Sequence, residues 1–205
     1  MPLLTISSSI NESLKKNEIF PDVLDEFDPK GLLVISYGNN NEVALGNTLK
    51  VSDTQTEPIV QFTLNNSSGA DSIEIKDSDL FTLVLTDPDA PSRTDKKWSE
   101  YAHFIKTNIS LNSVGLKKDS EFNSSELENG DVILPYQGPA PPKGTGKHRY
   151  VFVLYRQQPS NNKNFEPPKS RPNWNYNEPG VGVKKWANSY NLEPFALNFF
   201  NAENK

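Results

Sequence analysis

The stretch Leu80–His103, LFTLVLTDPDAPSRTDKKWSEYAH, decides how the rest of the chain is read. It opens with Leu80-Phe81-Thr82-Leu83-Val84-Leu85, a short apolar run of β-branched and aromatic type that reads as a buried strand. The run stops at Asp87-Pro88-Asp89-Ala90-Pro91-Ser92-Arg93, where two prolines lack the N–H that a ladder needs. Two carboxylates therefore leave the end of a buried strand on a stiff loop. Trp98-Ser99-Glu100-Tyr101-Ala102-His103 follows, and the chain turns apolar again at Phe104-Ile105. The sequence holds two histidines, and the second, His148, closes another unusual loop.

Outward from this stretch the chain reads as many short strands. Toward the N-terminus, Ser7-Ser8-Ser9 before Ile10, Leu14 and Ile19 suggests a capped amphipathic helix. Pro21 and Pro29 allow irregular structure or a second short helix around Val23–Phe27. Gly31–Tyr37, Val43–Leu45 and Ile59–Leu64 read as strands, with a turn at Gly38–Asn41 and a polar loop at Asn65–Asp71. Toward the C-terminus, His103–Ile109, Asp131–Tyr136, Arg149–Tyr155 and Pro194–Ala202 read as strands. Leu111–Gly130 is polar without period and reads as a surface excursion. Ser160–Gly180, rich in proline and asparagine, reads as a long loop or lid, and Val183–Tyr190 as a short helix. No repeat or linker is visible, so residues 1–205 are read as one mainly β domain of two packed antiparallel sheets with a few short peripheral helices.

Composition narrows the function. A net charge of −5 argues against nucleic acid, whose phosphates need a basic partner surface. No apolar run reaches the roughly 18–20 residues of a membrane span, and MPLLTISSSI lacks the basic start of a signal peptide. There is no cysteine, hence no disulfide, thiolate nucleophile or zinc-thiolate site, which suits a reducing, cytoplasmic setting. Asn-x-Ser matches such as Asn66-Ser67-Ser68 read as chance.

The chemistry sits in two loops. The second is Gln137-Gly138-Pro139-Ala140-Pro141-Pro142-Lys143-Gly144-Thr145-Gly146-Lys147-His148, too dense in glycine and proline for helix or ladder. His103 and His148 can donate ring N–H groups to an oxyanion, and Tyr150, two residues after His148 in an extended strand, adds a hydroxyl on the same face. Gly138, Gly144 and Gly146 permit close backbone approach, and Asp87 or Asp89 would fix a histidine tautomer. A site holding both charges would suit a zwitterion such as phosphoethanolamine. Unperturbed histidine titrates near ~6.5, so anion affinity should rise as pH falls through that value. Read alone, each part has a plainer reading: a lone histidine is commonly a hydrogen-bonded core residue, and Asp-Pro-Asp-Ala-Pro a rigid turn. Arg93 and Arg149 read as ion-pair partners of aspartates, and Trp98 and Tyr101 as core or rim packing. Gly144-Thr145-Gly146 is not followed by a helix and fails as a nucleotide loop. No serine lies in a Gly-x-Ser-x-Gly context, and two histidines without a third ligand make a poor metal centre, so neither catalysis, metal nor cofactor is expected.

DPDAPSR, then a histidine in YAHF, then GPAPPKGTGKHRYVFVLY resemble the phosphatidylethanolamine-binding protein family, also known through Raf kinase inhibitor proteins. WSEYAHF, GNTL, RPNW and the closing NFF are most similar to its fungal carboxypeptidase Y inhibitor branch. The resemblance places a family core at 31–202 behind an N-terminal helical extension at 1–30. It implies an antiparallel β-sandwich with a shallow surface pocket for a phosphate or phospholipid head group. It assigns that pocket to Asp87, His103, the Ala140 backbone, His148 and Tyr150, with Asp89, Pro91, Tyr101, Gly138, Pro141 and Phe200 in its wall. It also suggests a cis Ala90–Pro91 peptide. The primary expectation is a non-enzymatic anion-binding regulator. The alternative is an inhibitor of a serine carboxypeptidase or of Ras/kinase signalling. A hydrolase built on Asp87 and His103 ranks last. The chain stops at Lys205, short of the C-terminal helix of animal members, which weakens the kinase reading.

Overall fold

Sequence and burial periodicity produce three layers, seen in a computed structural model that describes residues 4–38, 40–64, 74–111, 116, 124–159 and 164–205. Helix α1 (Leu4–Lys16) and the single turn α2 (Ile19–Asp22) come first. They are followed by β1 (Gly31–Tyr37), β2 (Asn41–Glu42), β3 (Ile59–Leu64), β4 (Leu80–Asp87), β5 (Tyr101–Ser110), β6 (Ser124–Glu126), β7 (Asp131–Leu134) and β8 (His148–Arg156). Helix α3 (Val183–Ser189) and β9 (Glu193–Ala202) close the chain, and short 3-10 turns lie at Val51–Thr54 and Asn173–Asn175. The strands form two antiparallel sheets, one ordered β2-β1-β3-β6 and the other β7-β5-β4-β8-β9.

The five-stranded sheet is buried on both faces. Toward the smaller sheet, Phe81, Leu83, Leu85, Phe104, Phe152, Leu154 and Phe195 pack with Leu33, Ile35, Val60 and Phe62. On the opposite face, Val84, Ile105, Val151, Val153, Leu197 and Phe199 pack with Ile10, Leu14, Ile19 and Phe20 of the N-terminal helices and with Trp174, Val183 and Trp186. Central strands sandwiched in this way read as continuous apolar runs, which is why β4 and β8 carry no alternation. The smaller sheet faces water on one side, so β1 alternates in burial and leaves Val34 exposed.

The mainly β sandwich with short helices is the fold expected from the sequence. Both β1 and β3 have the expected bounds, while other elements differ for identifiable reasons. Ser7–Ser9 lie inside α1 rather than capping it, and Glu18, in a left-handed conformation, separates Ile19 from that helix. Pro21 sits within α2, and Val23–Phe27 carries no helix. Residues 43–45 form no strand; the pairing with β1 is at Asn41–Glu42 instead. The excursion after Leu111 contributes β6, whose backbone pairs with β3 despite its polar sequence. Asn65–Asp71 and residues 112–115, 117–123 and 160–163 lie outside the described residues. From residue 164 the long loop is packed, with Phe165 and Trp174 buried in the helical layer. The Ala90–Pro91 peptide is cis, and so is Ser99–Glu100, which nothing in the sequence announced.

Candidate functional site

The site grows out of three strand ends. Strand β4 runs on to Asp87, whose side chain follows the two-residue period onto the face carrying Leu83 and Leu85. Strand β8 begins at His148, so His148 and Tyr150 share the face of Phe152 and Leu154. His103 arrives by another route. The pairing of β4 with β5 runs Leu85–Phe104, then Thr86–Ala102, and the skipped residue is His103. It is the extra residue of a β-bulge, a feature that re-aims a side chain at the end of a ladder.

These ends and the two loops enclose a half-open cavity of about 200 Å³, lined by Asp87, Ala90, Pro91, Trp98, Tyr101, His103, Gln137, Ala140, Pro142, His148 and Tyr150. The Tyr150 ring stands between the imidazoles, 5.2 Å from His103 and 6.4 Å from His148 between centroids. All five residues assigned to ligand contact border this one space, as do Pro91 and Tyr101 of the assigned wall. The other four wall residues do not line it. Asp89 turns to Arg149, accepting from its Nε at 2.8 Å and its Nη2 at 2.7 Å. Gly138 packs over Gln55, Pro141 is buried, and Phe200 lies under Tyr150 with ring centroids 5.3 Å apart. Gln137 and Pro142, the neighbours of Gly138 and Pro141, occupy the lining instead. Trp98 is nearly half exposed at the rim. No local pattern separates these from their neighbours, because loop conformation alone decides which of two adjacent residues faces inward.

The two histidines differ in chemistry. His103 donates from Nδ1 to the Gln137 carbonyl at 2.7 Å, since a carbonyl can only accept. Its neutral ring therefore presents an unprotonated Nε2. Burial lowers the His103 pKa, outweighing the Asp87 charge and the Gln137 bond, which work to raise it. His148 has its Nδ1 2.8 Å from Asp87 Oδ2 and its Nε2 3.1 Å from Thr145 Oγ1. Asp87 is itself fixed by the Asp89 amide, which donates to Oδ1 at 2.7 Å. Burial works against a charged His148, but the Asp87 hydrogen bond and the charges of Asp87 and Asp89 override it and raise the pKa. The expectation that Asp87 or Asp89 fixes a histidine resolves to Asp87 with His148 alone. Burial, with the Asp87 charge next, keeps the Tyr150 phenol neutral far above its usual range.

Behind the cavity, Arg149 points into the helical layer. Besides Asp89 it donates to Asp22 at 2.6 Å and to the Asn17 and Glu18 carbonyls at 2.8 and 3.0 Å. Arg93 pairs with Glu18 rather than with an aspartate. Among the described residues no cluster of three metal-ligating side chains occurs. None of their helices is long and apolar enough to cross a membrane.

Known proteins resemble this chain along nearly its whole length. The carboxypeptidase Y inhibitor of Saccharomyces cerevisiae is 43% identical over 207 residues, covering 95% of this chain and 94% of that protein. A crystal structure of carboxypeptidase Y inhibitor complexed with the cognate proteinase superposes with a TM-score of 0.86 at 43% identity, covering 97% of each chain. A phosphatidylethanolamine-binding protein from Plasmodium falciparum is 27% identical with a TM-score of 0.69, covering 94% of this chain and 96% of that one. The phosphatidylethanolamine-binding protein family profile matches residues 39–200. With a profile match over most of its length and a relative 43% identical throughout, the chain belongs to the phosphatidylethanolamine-binding protein family.

Proposed function

We propose that this protein inhibits a serine carboxypeptidase of the carboxypeptidase Y type. The observation that carries this reading is the 43% identity spread over 95% of the chain to the yeast inhibitor. A relative of this fold crystallised with its cognate proteinase supports it further. The reading reverses the order expected from sequence, which put anion binding first. Titrating the purified protein into yeast carboxypeptidase Y tests it. Loss of peptidase activity reaching completion near equimolar protein, with a co-eluting complex, is the expected result. Full activity at a large excess of protein would end this reading.

A second reading, compatible with the first, is that the cavity reversibly binds a small anion such as a phosphate group. It is favoured by the His148–Asp87 pair on the cavity wall beside Tyr150. Charge-assisted hydrogen bonds would supply the affinity. His148→Ala should then abolish phosphate binding while leaving the fold and carboxypeptidase inhibition in place. Retained phosphate binding in a folded His148→Ala protein would remove His148 from the site.

A further inference from the structure

Every hydrogen on the His148 ring already has a protein acceptor. Asp87 takes the Nδ1 side at 2.8 Å. On the Nε2 side stands Thr145 Oγ1, and its hydroxyl is 2.7 Å from the Pro142 carbonyl. A hydroxyl has one proton, and a carbonyl can only accept. Thr145 therefore donates to Pro142 and receives from His148 Nε2. With Nδ1 against the Asp87 carboxylate, the ring is read as an imidazolium held at both nitrogens, and the Pro91 carbonyl also favours its charged form. An anion entering the cavity meets that charge but finds no unused N–H on it.

The clamp is firm on one side and loose on the other. Asp87 belongs to a central strand and is fixed by the Asp89 amide. Thr145 sits between Gly144 and Gly146, at φ 77° and 82°, and a side chain added at either glycine would meet nothing within 4 Å. The turn is held by Thr145 N to Pro142 O at 3.2 Å and Gly144 N to Asn204 O at 3.1 Å, and most of residues 142–147 are exposed. Segments with so few buried contacts open at small free-energy cost.

We propose that Thr145 is a placeholder for the ligand, its hydroxyl occupying the His148 Nε2–H until an oxyanion displaces it by a swing of the Gly144–Gly146 turn. An ionised acceptor adds to the hydrogen bond a charge–charge attraction to the imidazolium that a neutral hydroxyl lacks, so exchange favours phosphate over Thr145. The threonine keeps a buried cation satisfied in the empty pocket and sets the threshold that a ligand must exceed. Neutral acceptors of similar size are excluded because they offer no advantage over the hydroxyl. This rests on the anion-pocket reading of the cavity.

The test is titration of the full-length protein with inorganic phosphate, followed through the histidine ring nitrogens by ¹⁵N NMR at about pH 6, close to the unperturbed histidine value. In the wild type, phosphate should shift the His148 Nε2 resonance while Nδ1 stays with Asp87. Thr145→Val keeps the shape but removes the competing acceptor, so phosphate should bind about three- to ten-fold tighter, the worth of one hydrogen bond. Thr145→Ser restores the hydroxyl and should restore wild-type affinity. If phosphate shifts His148 in the wild type but Thr145→Val binds equally or more weakly, the placeholder is refuted and the pocket reading stands. If phosphate leaves both histidine rings unmoved in the wild type, the pocket reading fails and the placeholder with it.

Discussion

Glu100 shows what one residue can cost. Its carboxyl is buried behind the sheet, with Oε1 accepting from the Val183 amide at 3.1 Å and Oε2 3.0 Å from Thr86 Oγ1. Among the described residues no cation pairs with it. Burial, opposed by the Thr86 and Val183 bonds, pushes its pKa up to about 8. Once protonated, Glu100 donates to Thr86 Oγ1, which also receives Trp174 Nε1–H at 3.1 Å, and the Thr86 hydroxyl turns to the Tyr101 carbonyl. The folded state thus binds a proton that the unfolded chain releases near the ordinary glutamate value of 4.5. Stability falls as pH rises from there through about 8, by an amount on the order of a few kcal/mol. Glu100→Gln should flatten that slope, as read from urea midpoints between pH 5 and 9; a parallel slope in the variant would place the titration elsewhere. The histidines give a second residue-scale prediction. With His148 raised and His103 lowered, phosphate affinity, corrected for phosphate ionisation, should rise in two separated steps as pH falls. One step near the unperturbed value of ~6.5 would contradict the two environments.

At the scale of elements, Arg149 is the rivet between β8, the Asp87–Asp89 corner and the end of α1. It is buried with Asp89, and Asp22, shared with Lys96, closes the network. The Lys96 and Arg149 bonds overcome partial burial and hold Asp22 below the usual carboxylate range. Arg149→Met strands the Asp89 carboxylate in the interior, and breaking such a pair costs about 3–5 kcal/mol. Equilibrium unfolding should show that loss, and amide exchange should rise across residues 4–23. A variant as stable as the parent, with α1 equally protected, would mean that the packing of Ile10, Leu14 and Phe20 holds the helices by itself.

Across the whole molecule, the five-stranded sheet is the shared wall of two cores. Phe152 faces the smaller sheet and Phe199 the helices, both fully buried. Phe152→Ala and Phe199→Ala should each cost about 3–5 kcal/mol. If the three layers unfold as one unit, each variant keeps a single transition whose midpoint is the same by far- and near-ultraviolet circular dichroism. A biphasic melt of Phe199→Ala alone would show the helical layer separating from the sandwich.

The sequence by itself determined where the chain must be extended and where it must turn. β1 and β3 were legible to the residue, and the cores of β4, β8 and β9 nearly so, because apolar runs and proline positions act locally. It also put Asp87, His103, His148 and Tyr150 in segments with no plain structural duty, and its two loop motifs carried the family resemblance. Only the tertiary structure decided how these groups meet. Asp87 and His148 are 61 residues apart, and His103 and Gln137 are 34 apart, so no local pattern encodes either bond. The bulge that aims His103 arises from pairing with β4, and Trp98, Gln137, Pro142 and Thr145 reach the site through loop conformation. Whether a histidine is a cation or an acceptor depends on which distant carboxylate or carbonyl meets its second nitrogen, and chain topology alone brings those atoms within reach.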